Sequence, residues 1–377
     1  MKLIDIETPA ALIDERRMAG NIARLQGHLS ALGVRLRPHV KTSKCIEVAR
    51  AQQEAGAVGI TVSTLKEAEQ FFAAGFTDVL YAVCIVPDKL DRALALIRKG
   101  CSLTLLVDSV AAAEAVVAKG REANQTFDVM IEIDSDGHRS GVQPEAPELI
   151  AIGQVLQAGG ATVKGVLTHA GSSYDLDTPE ALQALAEQER ALCVRAAERL
   201  RAVGIACPEV SVGSTPTAIA AQHLEGVTEV RAGVYVFFDL VMSNVGVCKP
   251  ENVALSVLTE VIGHQPEKGW VIVDAGWMAM SRDRGTQRQK IDYGYGAVCD
   301  VEGNVIDGLI VSGANQEHGI VARRDGTADA SLVERFPIGA RLRILPNHAC
   351  ATGAQYPAYV AVTPAGDATT WPRFQGW

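Results

Sequence analysis

The sequence contains no Cys-x-x-Cys pair, although it carries eight cysteines, at 45, 84, 101, 193, 207, 248, 299 and 350. Thiols scattered through apolar runs suit reduced, buried side chains in a cytoplasmic protein and leave no disulfide framework. No stretch reaches the apolar length that a bilayer span requires. Asp5 and Glu7 interrupt the N-terminus where a secretory signal would need an unbroken apolar core. Positive charge is also short. Lys and Arg number 35 against 44 Asp and Glu, a formal net charge of −9, which argues against nucleic acid or an anionic membrane as the main partner. No Gly-x-Gly-x-x-Gly follows the first strand-like run, so nothing favours an open dinucleotide-binding sheet. A low-complexity linker is missing as well, and two rigidly packed parts are expected.

What the sequence does have is repetition. At 377 residues it exceeds a single ordinary core. Short β-rich runs at 34–37, 58–62, 78–83, 102–107, 128–133, 163–168, 209–212 and 228–231 alternate with amphipathic helical patterns. The helical patterns fall at 45–55, 65–74, 88–98, 110–121, 146–156 and 179–203, with a short one from Thr217 and another at 15–32 ahead of the first strand. Eight such units with right-handed crossovers close most naturally into a (β/α)8 barrel of the TIM type. After about residue 250 the helical period fades, and seven runs between 253 and 363 read as strands separated by Gly, Asp and Pro turns. The expected organisation is an α/β barrel over 15–250 and an all-β domain from 1–14 and 251–377.

In a parallel barrel, chemistry collects where strands end. Lys41, in Arg37-Pro38-His39-Val40-Lys41-Thr42-Ser43-Lys44, lies where the first strand hands over to a helix. A lysine there is a candidate nucleophile when desolvated or crowded by cations such as its neighbours His39 and Lys44. Other strand ends offer the loop Asp134 to Arg139, the run His169-Ala170-Gly171-Ser172-Ser173-Tyr174, and Gly213-Ser214-Thr215 ahead of a short helix. Glycine, hydroxyls and a helix start suit an anion, and Gly233 at the next strand end adds to the cradle. Alone, each has a plainer reading: a solvated basic loop, a core histidine, a surface ion pair for Arg139, a capped turn. Together, a strand-end lysine facing a phosphate cradle suggests pyridoxal phosphate, its aldehyde on Lys41 and its phosphate on Ser214, Thr215 and Gly233.

The β-rich part contributes Pro346-Asn347-His348-Ala349-Cys350. On an extended chain, His348 and Cys350 point to one side and could share an ion, zinc being favoured by imidazole plus thiolate. A His-x-Cys pair is a weak signal by itself. The polar run Ala314 to Gly319 is either a hairpin turn or an outer shell for that ion.

The motifs RPHVKT, DGHRSG, THAGSSY, VGSTPT, TEVRAGVYVFFD and PNHAC, in this order along essentially the whole chain, resemble the fold-type III pyridoxal-phosphate enzymes. The matching subgroup holds D-threonine aldolases, D-serine dehydratases and hydroxyaspartate dehydratases, and GITVSTLKEAEQFFAAG, VDAGWMAMSRDRG, GANQEHG and PNHACATGAQ resemble the last most. The resemblance implies an alanine-racemase-like barrel plus β-domain and a cofactor covalently held on Lys41. Arg139, His169, Tyr174, Ser214, Thr215, Gly233 and Val234 would surround that cofactor. It also implies a divalent metal (zinc, or magnesium, manganese or cobalt) on His348 and Cys350, and a head-to-tail homodimer. The activity it implies is dehydration of D-3-hydroxy amino acids, D-threo-3-hydroxyaspartate or D-serine, with Lys41, His348 and Cys350 catalytic. A retro-aldolase on the same residues is the alternative; an acid is common among aldolases where Cys350 stands. A non-catalytic cofactor binder fits less well, because such chains lack the β-domain. Arg282 and Arg284 are candidates for a second substrate carboxylate.

Overall fold

The computed structural model describes residues 2–377, which divide into two compact units. One comprises Arg24–Gly233 with Gly376–Trp377; the other comprises the chain up to Ala23 and Val234–Gln375. The chain opens on β1 (Ala10–Asp14) and α1 (Glu15–Ala31). Eight parallel strands follow: β2 (Arg35–Pro38), β3 (Ile60–Val62), β4 (Asp78–Cys84), β5 (Ser102–Val107), β6 (Asp128–Ile133), β7 (Thr162–Thr168), β8 (Glu209–Val212) and β9 (Glu229–Ala232). Between and after them run α2 (Ile46–Glu54), α3 (Leu65–Ala73), α4 (Leu90–Arg98), α5 (Val110–Ala123), α6 (Pro147–Ala158), α7 (Pro179–Ala202) and α8 (Thr215–Ala220). The sheet order is β2-β9-β8-β7-β6-β5-β4-β3, a parallel barrel as the sequence predicts.

The seam between β2 and β3 is thin, and Pro38 explains it. Leu36 accepts from Val58 N (2.8 Å) and Val40 N donates to the Thr61 carbonyl (2.9 Å), leaving a single His39–Thr61 bridge between the two strands. Pro38 lies between those two positions and has no N–H to give. On its other edge β2 pairs normally, with Pro38 opposite Ala232. The proline thus sits inside the strand rather than beyond it.

The barrel interior has two characters. Leu80, Leu106, Met130 and Leu167, one each from β4 to β7, form an apolar cluster. The opposite side is polar. Arg37 Nε donates to Glu229 Oε2 (2.8 Å), and its two terminal nitrogens reach Asp78 at 2.9 and 3.0 Å. Burial works against the Arg37 charge, but Glu229 and Asp78 outweigh it and hold the guanidinium above its ordinary pKa.

In the second unit, α9 (Leu240–Val245) precedes β10 (Leu255–Gln265) and β11 (Trp270–Val273). Then come α10 (Trp277–Met280), β12 (Gly296–Cys299), β13 (Val305–Ala314), β14 (Gly319–Arg323), α11 (Leu332–Arg335), β15 (Arg341–Pro346), α12 (Ala349–Gly353), β16 (Ala358–Val362) and β17 (Ala368–Pro372). Strands β10, β11, β14, β13, β12 and β15 close into an antiparallel ring around Val257, Val273, Val298, Val311, Val321 and Ile344. Strand β1 joins this sheet, antiparallel to β10 and parallel to β16.

The unit boundaries lie at 23/24 and 233/234, not at the expected 14/15 and 250/251. Contacts with the β-unit explain both. Arg17 donates to the Val253 and Gly303 carbonyls (3.2 and 2.8 Å), and Asn21 to the Asn252 carbonyl (2.8 Å). Asp239 caps α9 through Met242 N (2.9 Å) while its other oxygen accepts Ala349 N (2.9 Å).

Replacing Arg37 with alanine strips Glu229, 3% exposed, of the cation on its Oε2 and leaves Ser211 Oγ on its Oε1. Removing one partner of such a pair costs about 3–5 kcal/mol. Denaturant unfolding of Arg37→Ala should show a loss of that size; a loss near that of an exposed ion pair would contradict the barrel-interior assignment.

Candidate active site

Because all eight strands run parallel, their C-terminal ends share one rim. Arg231 of β9 is the buried charge beneath it, 4% exposed. Its Nη1 donates to Ser211 Oγ (2.6 Å) and its Nη2 to the Thr168 carbonyl (2.5 Å), while Ser211 Oγ donates onward to Glu229 Oε1 (2.6 Å). Burial pushes the Arg231 pKa below its ordinary value, with Glu229 and Glu189 opposing. The sequence places Arg231 at a strand end, within TEVRAGVYVFFD, but gives it no role.

Lys41 is exposed in the turn after β2. Lys44 takes a left-handed conformation there (φ 46°) and sends its ammonium to Glu67 (3.3 Å), a carboxylate with no exposed surface. Its charge is therefore committed to α3. Burial holds His39 well below its usual pKa, with Lys41, Arg231 and His169 adding in the same direction. His39 is thus neutral, not one of the cations expected to crowd Lys41. Gly233 meets this turn closely: a Cβ there would lie 3.1 Å from Thr42 Oγ1 and 3.2 Å from the His39 carbonyl.

His169 follows β7. Its Nδ1 donates to the Gly213 carbonyl (3.0 Å), leaving Nε2 as the acceptor nitrogen of a neutral ring. Burial lowers its pKa to about 4, the Gly213 bond opposing and Lys41, Arg231 and Arg139 reinforcing. Tyr174 stands 6.3 Å away, ring centre to ring centre. Arg139 reaches Glu132 Oε1 at 3.4 Å, and Asp136 accepts from Ser172 N and Oγ (2.9 and 2.7 Å), tying the loops after β6 and β7 together. Cys84, Asp108 and Glu132 place donor atoms within 4.8 Å of one another at the ends of β4, β5 and β6. Burial and the two carboxylates push the Cys84 thiol far up, and it donates to Glu132 (3.2 Å) as a neutral S–H.

Ser214 caps α8, accepting Thr217 N at 3.2 Å, so the helix starts two residues earlier than periodicity suggests. Its hydroxyl also meets Ser173 Oγ (2.8 Å). The capped-turn reading is therefore realised, at the ends of the neighbouring strands β8 and β9. Gly213 (φ 131°) is required there, since a Cβ would come 2.3 Å from the Arg231 carbonyl. Lys41 and Arg231 lie at the ends of β2 and β9, beside neutral His39 and His169, while Asp108, Glu132 and Asp136 gather at the ends of β5 and β6 with Arg139. The β2 and β9 side suits an anionic, phosphate-bearing cofactor.

In the β-unit, His348 and Cys350 are not on an extended chain as the sequence suggests. His348 is the N-cap of α12 and Cys350 lies in its first turn. His348 Nδ1 bonds Asp283 Oδ2 (2.7 Å). Burial alone would lower the His348 pKa, but Asp283, Cys350 and Asp239 together raise it to about 11. Acceptors that hold a proton this firmly are a donor set suited to a divalent cation. Asn347, 2% exposed, donates to the Gly294 and Asp283 carbonyls (2.7 and 3.2 Å) and fixes the strand end from which the pair projects. Neither Asp283 nor Asn347 carries a spacing signal. The Ala314 to Gly319 run is a hairpin turn whose Asn315 and Gln316 carbonyls accept from Trp277 N and Met278 N. Arg282 stacks on Trp277 (4.5 Å), and Arg284 stacks on Tyr295 (5.0 Å) and pairs with Asp292 (3.1 Å).

Residues 13–241 match the alanine racemase N-terminal domain and residues 254–362 a serine dehydratase domain. A D-threo-3-hydroxyaspartate dehydratase from Delftia sp. (strain HT23) is 68% identical over 376 residues, covering 100% of this chain and 99% of that one. The chain belongs to the D-threo-3-hydroxyaspartate dehydratase family. A solved structure of the Delftia enzyme covers 100% of both chains at a TM-score of 0.99 and 68% identity. A D-serine dehydratase from Dictyostelium discoideum is 30% identical over 94% of this chain and 93% of its own. Aldolases are more distant relatives of the family member described here. Solved variants of D-threo-3-hydroxyaspartate dehydratase include a histidine-to-alanine change and, two positions further on, a cysteine-to-alanine change in the metal-free form.

A neutral buried imidazole contributes stability that is present above its unfolded pKa and lost on acidification. For His169 the loss runs from pH 6.5 down to about 4, where the unfolded chain binds a proton that the folded chain resists. His169→Gln should therefore show a shallower fall in denaturation midpoint over that window than the parent. An unchanged slope would contradict a neutral His169.

Proposed function

We propose that the protein is a lyase that dehydrates D-threo-3-hydroxyaspartate to oxaloacetate and ammonia, with D-serine to pyruvate as a second reaction. The observation that carries this reading is the 68% identity, over the full length, to a D-threo-3-hydroxyaspartate dehydratase. Lys41 would hold pyridoxal phosphate, with Ser214, Thr215, Gly233 and Val234 at its phosphate and Arg139, His169 and Tyr174 along its ring. When bound, the cofactor supplies an electron sink for the pair left at Cα. His348 and Cys350 would hold a divalent cation, zinc or else magnesium, manganese or cobalt. That ion supplies Lewis acidity for a hydroxyl leaving group. The cysteine-to-alanine variant solved metal-free, with its histidine two positions before, supports carrying this pair over to His348 and Cys350.

The chain's own part is proton handling and orientation. The Lys41 amine, freed when the substrate amine takes its place, removes the α-proton. His169 keeps its Nδ1 proton on the Gly213 carbonyl and burial favours its neutral form, so it orients rather than donates charge. Asp283 holds the His348 ring by its Nδ1, which leaves Nε2 for an ion. Loss of the β-hydroxyl gives an enamine that hydrolyses to the keto acid and ammonia. Retro-aldol cleavage needs the same residues; the distance of the aldolases among the relatives weighs against it. Free cysteines throughout, at all eight positions, support a reducing cytoplasmic setting, and the family likeness supports a homodimer.

Lys41→Ala should lose turnover together with the absorbance of lysine-bound cofactor; a variant retaining both would overturn the assignment. Chelation should abolish elimination while the cofactor spectrum persists. Loss of both together would make the metal structural instead.

A further inference from the structure

Helix α7 buries a stripe of Leu182, Ala186, Glu189, Cys193, Ala196, Ala197 and Leu200 at three- and four-residue spacing. Six of these are apolar or thiol side chains, and one is a carboxylate. Glu189 is 2% exposed, and a carboxylate on such a stripe is costly to bury unless it is fully matched. Burial raises its pKa, as expected for that position.

Its partners come from the active-site rim. Glu189 Oε1 accepts Ala170 N (2.9 Å), the residue after His169, and Gly213 N (3.1 Å), the residue before Ser214. The Thr217 hydroxyl bonds the same carboxylate. Gly213 in turn offers its carbonyl to His169 Nδ1 (3.0 Å). One buried oxygen therefore joins the turn that carries His169 to the turn that carries Ser214 and Thr215.

We propose that Glu189 is a positioning residue that sets the Gly213-Ser214-Thr215 turn for the cofactor phosphate. The role lies in the acceptor oxygen and its reach across the two turns, not in the charge. This inference rests on the pyridoxal-phosphate reading above.

The test compares binding of pyridoxal phosphate and of pyridoxal, which lacks the phosphate, to cofactor-stripped full-length protein. Glu189→Asp keeps the charge but withdraws the oxygen by one methylene. Glu189→Gln keeps an oxygen in place without the charge. For Glu189→Asp the expected result is a loss of roughly tenfold in affinity for pyridoxal phosphate, about the worth of one lost hydrogen bond, with pyridoxal binding unchanged. Glu189→Gln should stay within about threefold of the parent for both ligands. Equal losses for the two ligands, an unaffected Glu189→Asp, or a Glu189→Gln as impaired as Glu189→Asp would each overturn the proposal. A parent protein that binds neither ligand on Lys41 would overturn the cofactor reading, and this inference with it.

Discussion

A guanidinium buried inside a barrel has to be matched, and the arrangement of this rim follows from how Arg231 is matched. Ser211 and the Thr168 carbonyl take its donors, Ser211 passes the demand to Glu229, and Glu229 is shared with Arg37 and through it with Asp78. The chain of contacts touches β7, β8, β9, β2 and β4, running from Thr168 at the C-terminal end of β7 to Glu229 and Asp78 at the N-terminal ends of β9 and β4. The field of Arg231 also helps keep His39 and His169 neutral. Neutral imidazoles beside Lys41 and Arg231 avoid the like-charge repulsion that protonated ones would add.

The β-unit solves the opposite problem. Asp239, Asp283 and Cys350 gather around His348 and raise the pKa of its imidazole. Asp239 does two further things at once, capping α9 and holding the first N–H of α12. This is why the segment after Gly233 belongs with the β-unit, although it follows the last barrel strand directly.

Much of this was legible in the sequence, and the gaps have physical causes. Strands buried on both faces read as apolar runs, so all eight barrel strands show, each within a few residues. Strand β1 does not, because its partners lie at 255–258 and 360–362, far along the chain. The start of α8 was hidden because Ser214 and Pro216 look like loop residues until the cap is seen. His348 and Cys350 are a pair for a different reason from the one their spacing suggests: a helix start, not an extended strand. Arg231 shows only as a strand-end residue without a role, and Glu189 carries no signal. One sits in a short strand and the other in a charge-rich helix, and only the fold shows that both are buried.

The central claim is the reaction, and product identity tests it most directly. Protein loaded with pyridoxal phosphate and a divalent metal should convert D-threo-3-hydroxyaspartate to oxaloacetate and ammonia. Glycine and glyoxylate would contradict the account: the carbon–carbon bond would be the one that breaks, and the protein would be an aldolase.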